Sequence, residues 1–189
     1  MEARDKERIR GNCIQLLREV GCDESVVEHC IAVAELALEL ALDYNRRESQ
    51  ARSCGHGRDR DSVNEKLVFT GALLHDMGRA RSHGLNHGFV GGEIAKELGL
   101  EEPVVRIIQR HIGAGITAEE AKEMGLPPAN FMPDTREEKI VACADNLIDG
   151  TRRTGIEEAI GDLKAKFGDA HPSINRTKKL YEDVVGRSG

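Results

Sequence analysis

The sequence lacks tryptophan, and aromatic residues make up only 3% of its 189 residues. Without large rings, the core must be built from Leu, Ile, Val, Ala and Met side chains, which favours packing of helix against helix. Hydrophobic residues account for 39% and charged residues for 32%, an ordinary balance for a globular protein. A chain of this length suits a single domain with a substantial core, expected here over residues 1–189.

Membrane-spanning and secretory signals are also lacking. No apolar run approaches the roughly 18 to 20 residues that cross a bilayer, and the charged start MEARDKERIR does not fit a signal peptide. The five cysteines are odd in number and contain no CxxC pair, which disfavours a disulfide framework. We therefore expect a cytoplasmic protein with no membrane partner.

An excess of positive charge is missing as well. The formal net charge of −6 argues against a partner that is a nucleic-acid polymer. It leaves room for a small anionic substrate, because a few Arg or Lys side chains can still face one cleft. The GxSxG and P-loop patterns are both absent, which excludes two competing classes of enzyme.

Helical periodicity is present along most of the chain, and Gly residues or capping pairs mark many helix ends. There is no internal repeat and no alternating run long enough for a sheet, so the predicted fold class is an all-α helical bundle. Helices are predicted over about 5–20, 25–44, 67–76, 88–98 and 102–112, from Thr117 to Gly125, from Thr135 through EEKIVACADNL, and, within the C-terminal part 155–187, over 156–167 and 173–185.

Residues 45–66 differ in character from their surroundings. Ten of these 22 residues are charged, and only three are apolar. We predict a long solvated surface insertion whose last few residues begin the next helix. A lid over a site and a merely tolerated insertion are both compatible with this composition.

The pair His75-Asp76 stands at the end of the apolar helix LVFTGALL. Burying such groups without partners costs several kcal/mol, and the last turn of a helix presents free carbonyls and a negative dipole end that favour a cation. A divalent metal meets both demands, and this ligand chemistry suits Mn, Fe, Co, Ni or Zn better than calcium. A buried His–Asp ion pair is the alternative.

His29 and Asp145 also lie in helices whose neighbouring residues are apolar. Each of them alone is more often a satisfied polar group of the core than a ligand. Together with His75 and Asp76, however, they place four suitable donors on three helices of the core. These four residues can converge on one metal ion.

The order His29, His75-Asp76, Asp145 resembles the HD superfamily of metal-dependent phosphohydrolases. GALLHDMGR is similar to the LLHDIGK segment of that family, and VACADNL is similar to its final aspartate segment. The resemblance covers about residues 25–150, and RHIGAGI, LGLP and EEKIVACADNL are typical of a small, single-domain prokaryotic branch. It implies an HD-type fold and a divalent metal (Mn, Co, Ni, Fe, Zn or Mg).

The same resemblance implies a second metal site. His87 begins HGFVGGEI, similar to the H-x-x-x-G-x-x-I segment of HD proteins that carry two metals, and His111 ends VVRIIQRH, where those proteins have another ligand. The second metal would be bridged to the first through Asp76 and water. Alternatively, both histidines contact substrate phosphate without a metal.

Arg79 stands where many relatives have Lys, and the resemblance implies that it balances charge on phosphoryl oxygens. Arg81, His83 and Arg110 are further candidates for substrate binding because they lie near the proposed ligands in the sequence. Salt bridges on helix faces are the alternative for Arg81 and Arg110, and a plain surface position is the alternative for His83.

The implied reaction is attack on phosphorus by a metal-activated water, with Asp76 orienting the water and Arg79 assisting. The substrate is expected to be a small phosphate ester, and nucleotides are among the options. Two other functions remain open: a metal-stabilised module that binds a ligand or regulates without turnover, and an oxygenase of the HD type with two irons.

Overall fold

A computed structural model describes residues 1–53 and 62–186 of the chain. Most of these residues are helical, as predicted from the periodicity, so the all-α fold class is confirmed. The helices are α1 (Ala3–Glu19), α2 (Glu24–Ser53), α3 (Glu65–Leu74), α4 (His87–Glu97), α5 (Glu102–Arg110), α6 (Ala118–Glu123), α7 (Arg136–Asn146), α8 (Ile156–Phe167) and α9 (Pro172–Val185), with one turn of 3₁₀ helix at Met77–Ala80.

The centre of the fold is α2, which packs against α3 and α7. Its inward face buries small and branched side chains, among them Val33, Ala37 and Ala41. Helix α3 buries nearly every side, which explains why its sequence is apolar with almost no polar face. Helix α5 packs on α3, and α4 packs on α5 and on the 3₁₀ turn.

The predicted loop over 45–66 is wrong for its first part, because α2 continues to Ser53. Tertiary hydrogen bonds hold this charged extension. The side chain of Asn45 accepts from the Val63 amide at 2.8 Å, and the Arg47 guanidinium donates to the terminal carbonyls of α9 at Val184 and Val185. The last predicted residues do begin α3, and the rest of the predicted insertion, 54–61, lies outside the described residues.

Two capping boxes end up where the sequence indicates them. The Thr117 and Thr135 side chains cap α6 and α7 by accepting from the amide of the Glu three residues on, and the backbone N–H of each Thr donates to the carboxylate of that Glu. The C-terminal helices α8 and α9 form as predicted and pack against each other, with α9 also on α7. Over the described ranges, the helices are too short or too polar to cross a bilayer.

A small antiparallel hairpin was not anticipated. Strands β1 (Ile148–Asp149) and β2 (Arg152–Arg153) pair with Ile148 opposite Arg153 and Asp149 opposite Arg152. Strands of two residues are too short to show an alternating pattern. The turn residue Gly150 has φ +60°, a left-handed conformation that glycine adopts without strain.

Candidate metal centre

The predicted metal ligands form one cluster, and most of them lie at helix ends. His75 caps the C-terminal end of α3, and Asp76 follows it directly. His111 caps the C-terminal end of α5, and His87 is the first residue of α4. The remaining two, His29 in α2 and Asp145 near the end of α7, come from the helices that flank α3.

His29 and Asp145, which we call the outer pair, lie on the more exposed side of the cluster. The Nε2 atom of His29 is 3.0 Å from Oδ1 of Asp145, and Nε2 of the fully buried His75 is 3.4 Å from the same oxygen. These three donor atoms lie within 4.8 Å of one another, a spacing at which they can hold one metal ion.

Asp76, His87 and His111, which we call the inner group, are all buried. Oδ1 of Asp76 lies 3.0 Å from Nε2 of His87 and 3.5 Å from Nε2 of His111. The other carboxylate oxygen of Asp76 lies 3.8 Å from Nε2 of His75 and 3.9 Å from Nε2 of His29. Asp76 therefore lies between the inner group and the outer pair, as a bridging carboxylate would.

A backbone carbonyl group fixes the orientation of each of the four imidazoles in the cluster. Each Nδ1 atom lies 2.7 Å from a backbone carbonyl oxygen, to which only an Nδ1–H group can donate. The pairs are His29 with Gly150, His75 with Ala72, His87 with Gly84, and His111 with Ile108. A neutral ring held in this way turns the lone pair of Nε2 toward the centre, which is the arrangement typical of metal-binding histidines.

The donor set is incomplete without a cation. Nε2 of His75 and Oδ1 of Asp76 are buried without a hydrogen-bond partner, a costly state for polar atoms. Nε2 of His87 lies 3.1 Å from Nε2 of His111, so two lone pairs would face each other when both rings are neutral. A divalent metal removes both problems, and the residues present therefore fit one.

The electrostatics favour the ligating forms of the two carboxylates and of His111, but not of His75. Burial alone would lower the pKa of His75, but Cys30 and the two carboxylates raise it well above its usual range, so a metal would have to displace a proton there. Burial alone would raise the pKa of Asp76, but the positive charge of protonated His75 and the nearby rings of His111 and His87 hold it well below its usual range. Burial would also raise the pKa of Asp145, and His75 again outweighs it and lowers the pKa. Burial lowers the pKa of His111. Anionic carboxylates and neutral imidazoles are the forms that bind metal.

A close backbone approach sets the distance between Asp76 and His87. A Cβ atom at Gly78 would lie 1.9 Å from the His87 carbonyl oxygen and 2.6 Å from the Gly91 amide nitrogen. Only glycine allows the 3₁₀ turn after Asp76 to lie this close to the first turn of α4. Gly78, the glycine of the HDMG segment, therefore allows Asp76 and His87 to lie close together in the inner group.

A cleft of about 340 Å³ opens on His29 of the outer pair and on Asp76. His29, Asp76, Arg79 and His83 line it, and the Arg79 guanidinium pairs with Oδ2 of Asp76. Of the residues predicted to bind substrate, Arg79 and His83 are therefore brought to the cluster. Among the described cavities, this cleft is the one lined by proposed metal ligands. It also places a cation and an exposed imidazole beside them.

Arg81 and Arg110 are not among the residues that line this cleft. The guanidinium of Arg81 pairs with Glu97 of α4 at 3.1 Å, and that of Arg110 pairs with the buried Glu138 of α7 at 2.9 Å. The structure does not bring either arginine to the cleft, and a role in substrate binding stays a prediction for both. The salt-bridge alternative describes both.

Some residues of the site were not singled out in the sequence. Gly150 supplies the carbonyl that orients His29, and Asp23 and Ser25, beside the start of α2, line the cleft. The Asp149-Gly150 dipeptide is a recognisable turn signal, but only the folded chain places its carbonyl behind an imidazole 121 residues earlier. Ser25 with Glu28 fits a capping box at a helix start, but no local pattern marks Asp23 or Ser25 as a residue of the site.

The chain matches a family model described as "HD domain" over residues 26–148. This segment runs from the first turn of α2 into the hairpin and includes the outer pair, His75 and the inner group. Helices α8 and α9 lie outside it.

Two curated relatives are similar to most of the chain. It is 49% identical over 163 residues to an uncharacterized protein of Methanocaldococcus jannaschii, covering 86% of this chain and 89% of that protein. It is 36% identical over 176 residues to a tRNA (cytidine(56)-2'-O)-methyltransferase of Thermoplasma volcanium, covering 93% of this chain. The chain spans about half of that methyltransferase, 47% of its length.

A solved structure shares the fold. The HD domain of the Listeria monocytogenes phosphodiesterase PgpH, in complex with cyclic-di-AMP, aligns with a TM-score of 0.50 at 18% identity. The alignment covers 93% of this chain and 99% of that domain. At this identity the likeness is one of fold.

Proposed function

The chain belongs to the HD domain family, and from this premise we propose that it is a metal-dependent hydrolase of a small phosphate ester. One observation carries the proposal. Four imidazole Nε2 atoms and two carboxylates form one cluster, in which two overlapping sets of three donors are close enough to hold a metal, and two of the buried donor atoms have no hydrogen-bond partner. Such a donor set suits Mn, Fe, Co, Ni or Zn, with Mg less favoured by imidazole.

His29, His75, Asp76 and Asp145 are the proposed ligands of the first metal. Asp76 would be shared with a second metal held by His87 and His111. The metal, when bound, supplies Lewis-acid activation of water and charge neutralisation at phosphorus. The short contacts from Asp76 to both sets of histidines support a shared role for this carboxylate.

The cleft residues would bind and orient the anionic group. Arg79 presents a planar fork of N–H donors that matches phosphoryl oxygens, and it already lies beside Asp76. Its charge would stabilise the negative charge that develops on those oxygens during the attack. His83 is exposed at the same cleft, and we propose that it hydrogen-bonds the substrate or donates a proton to the leaving oxygen.

A phosphate ester derived from RNA is a second candidate substrate. Its support is the similarity of this chain to about half of a tRNA methyltransferase. The net charge of −6 opposes tight binding of a long RNA chain. We therefore favour a nucleotide or a short RNA end over a polymer within this alternative.

Replacement of Asp145 by Asn tests the proposal. The metal-loaded wild type should release phosphate or a nucleoside monophosphate from at least one member of a panel of nucleotides, cyclic nucleotides, short RNA ends and sugar phosphates. Asp145→Asn should abolish this release while circular dichroism shows an unchanged helix content, because the substitution removes a ligand and not a packing residue.

The matched control is Asp169→Asn. Asp169 is exposed between α8 and α9, and its carboxylate pairs with Lys164 at 3.3 Å. This variant should hydrolyse at the wild-type rate. If the wild type hydrolyses no ester with any divalent metal, or if Asp145→Asn is as active as wild type, the hydrolase proposal fails. A metal-stabilised binding module would then describe the protein better.

A further inference from the structure

A second cavity of about 500 Å³, which we call the groove, lies between α6, α8, α9 and the loop after α5. Its volume is in the range of cavities that hold small organic ligands. Apolar side chains form much of its wall, and a few charged groups enter it. The residues that carry the inference are Ile112, Met124, Leu163, Phe167, His171 and Arg176.

Several residues of the groove wall adjoin metal ligands along the chain. Its wall residue Ile112 directly follows His111, and its wall residue Asn146 directly follows Asp145. Leu85, from the short loop between the 3₁₀ turn and α4, also lines it. The wall of the groove therefore includes close chain neighbours of three ligands, His87, His111 and Asp145, while the ligands themselves do not line it.

Exposed apolar side chains are concentrated here. Five large apolar side chains are notably exposed in the described part of the chain, and three of them, Leu85, Met124 and Phe167, line the groove. Isolated exposed apolar residues are ordinary, but several around one concavity are typical of a binding surface. Covering them with an apolar ligand would remove this surface from water.

A flat aromatic surface lies at the end of α8. The ring of Phe167 stacks on the imidazole of His171, with centroids 4.8 Å apart and planes inclined by 25°. The ammonium of the exposed Lys166 lies 5.2 Å from the centroid of the Phe167 ring, so a further ring would stack on Phe167 in place of this cation. Stacking of a ring on an aromatic side chain contributes enough binding free energy to favour a flat ligand over an aliphatic one.

The charges of the groove exclude a second phosphate there. Three carboxylates, Glu120, Glu123 and Asp162, outnumber its two permanent cations, Lys166 and Arg176. Arg176 is engaged by Glu120 at 2.7 Å through Nη2, while its Nε is buried with no hydrogen-bond partner. The groove thus suits an uncharged group, and a hydrogen-bond acceptor on that group would satisfy this buried Nε–H once the Arg176 side chain turns it toward the groove.

We propose that the groove binds the leaving group of the phosphate ester, and that this group contains a flat ring with a hydrogen-bond acceptor. The inference rests on the proposed function for the position of the phosphate, and on the groove alone for the nature of the ring. A nucleobase and a simple aryl ring share this chemistry. Because α8 and α9 lie outside the segment matched by the family model, the ring specificity would belong to this chain's own C-terminal helices.

Steady-state kinetics on three phosphate esters tests the proposal. The esters are adenosine 5′-monophosphate, p-nitrophenyl phosphate and the aliphatic glycerol 3-phosphate. Phe167→Ala should raise KM for one or both ring-bearing esters by about 5- to 100-fold, the range that one stacking contact contributes, with little change in kcat or in KM for glycerol 3-phosphate. A rise for the nucleotide alone identifies a nucleobase, and a rise for both identifies an aryl ring.

Leu98→Ala is the matched control, because Leu98 is an equally exposed apolar side chain that does not line the groove. It should leave every KM unchanged. Arg176→Lys keeps a cation beside Glu120 but lacks Nε–H, and it should weaken binding of the ring by about 3- to 10-fold, as expected for one hydrogen bond. Equal KM changes for all three esters, or none in Phe167→Ala, would overturn the proposal.

Direct binding separates this inference from the proposed function. Adenosine and p-nitrophenol, which carry no phosphate, are titrated into Asp145→Asn protein and followed by NMR shifts of the α8 and α9 amides. Shifts that disappear in Phe167→Ala support the groove even if no ester is hydrolysed. If neither compound binds at millimolar concentration, the groove inference fails, whatever the hydrolysis assays show.

Discussion

The outer pair and the inner group use the same kinds of donor in different surroundings. Side chains of the outer pair, His29 and Asp145, are 17% and 21% exposed. Those of the inner group are almost fully excluded from solvent, and Asp76 connects the two. Water can satisfy unused donors of the outer pair, whereas the inner group depends on a bound cation.

This difference separates two tasks within one cluster. The inner group is suited to retaining a cation, because its ligands have few alternatives and are fixed by backbone carbonyls. On the other side, His29 of the outer pair lines the cleft with Arg79 and His83, where a substrate and its water can exchange. Variants of the two sides should therefore affect metal content and turnover differently.

The largest effect is expected at His75, which contacts both sides. His75→Ala should lose most of the bound metal and all turnover, because open sites depend on few protein ligands. With free metal at a hundred times Kd, binding stabilises the folded wild type by about 2.7 kcal/mol. For a chain of this size that is about 5 to 10 °C in Tm.

Elemental analysis and the rise in Tm on adding metal measure this effect. His171→Gln is a histidine control for metal content alone, because His171 also caps α9 and its loss changes the Tm without metal. His171 stacks on Phe167 and has no contact with the ligands among those described. The ligand assignment is wrong if His75→Ala keeps full metal occupancy and the metal-dependent rise in Tm.

An intermediate effect is expected at the cleft. Arg79→Ala should lower kcat by about 10- to 1000-fold, the scale for loss of one group that stabilises transition-state charge, while metal content stays near wild type. Arg81→Ala is the control, because Arg81 is paired with Glu97 away from the cleft. If both arginine variants lose the same activity, general surface charge explains the loss, and Arg79 has no special role.

A partial loss of metal, smaller than that expected for His75→Ala, is expected from variants of the inner group. Replacing His87 and His111 together by Gln should reduce the metal stoichiometry from about two per chain toward one, with the outer site still filled. Metal analysis of the purified variant measures this directly. Unchanged stoichiometry combined with weaker substrate binding would favour direct contact of these histidines with phosphate.

The sequence predicts the site better than it predicts its surroundings. His75 and Asp76 stand out because polar residues at the end of an apolar helix need a partner, and His29 and Asp145 stand out for the same reason in α2 and α7. The boxes at Thr117 and Thr135 likewise depend on local hydrogen bonds that sequence spacing records.

Features that depend on distant contacts were not predictable. The charged end of α2 is helical because Arg47 caps carbonyls of α9, 137 residues later for Val184. Arg110 turns away from the cleft because Glu138 of another helix is buried beside it. Charge and local periodicity alone favour a loop at the end of α2. For Arg110 they are compatible with both substrate binding and a salt bridge.

The crossing of Gly78 over α4 matters for any attempt to transplant this centre. A designer who grafts the ligand side chains onto another helical scaffold would reproduce the donors but not the separation between Asp76 and His87, since any side chain at position 78 would strike the His87 carbonyl. A successful graft must therefore transfer two backbone segments in close contact, the 3₁₀ turn at Gly78 and the first turn of α4. The glycine at position 78 is as necessary to it as the imidazoles.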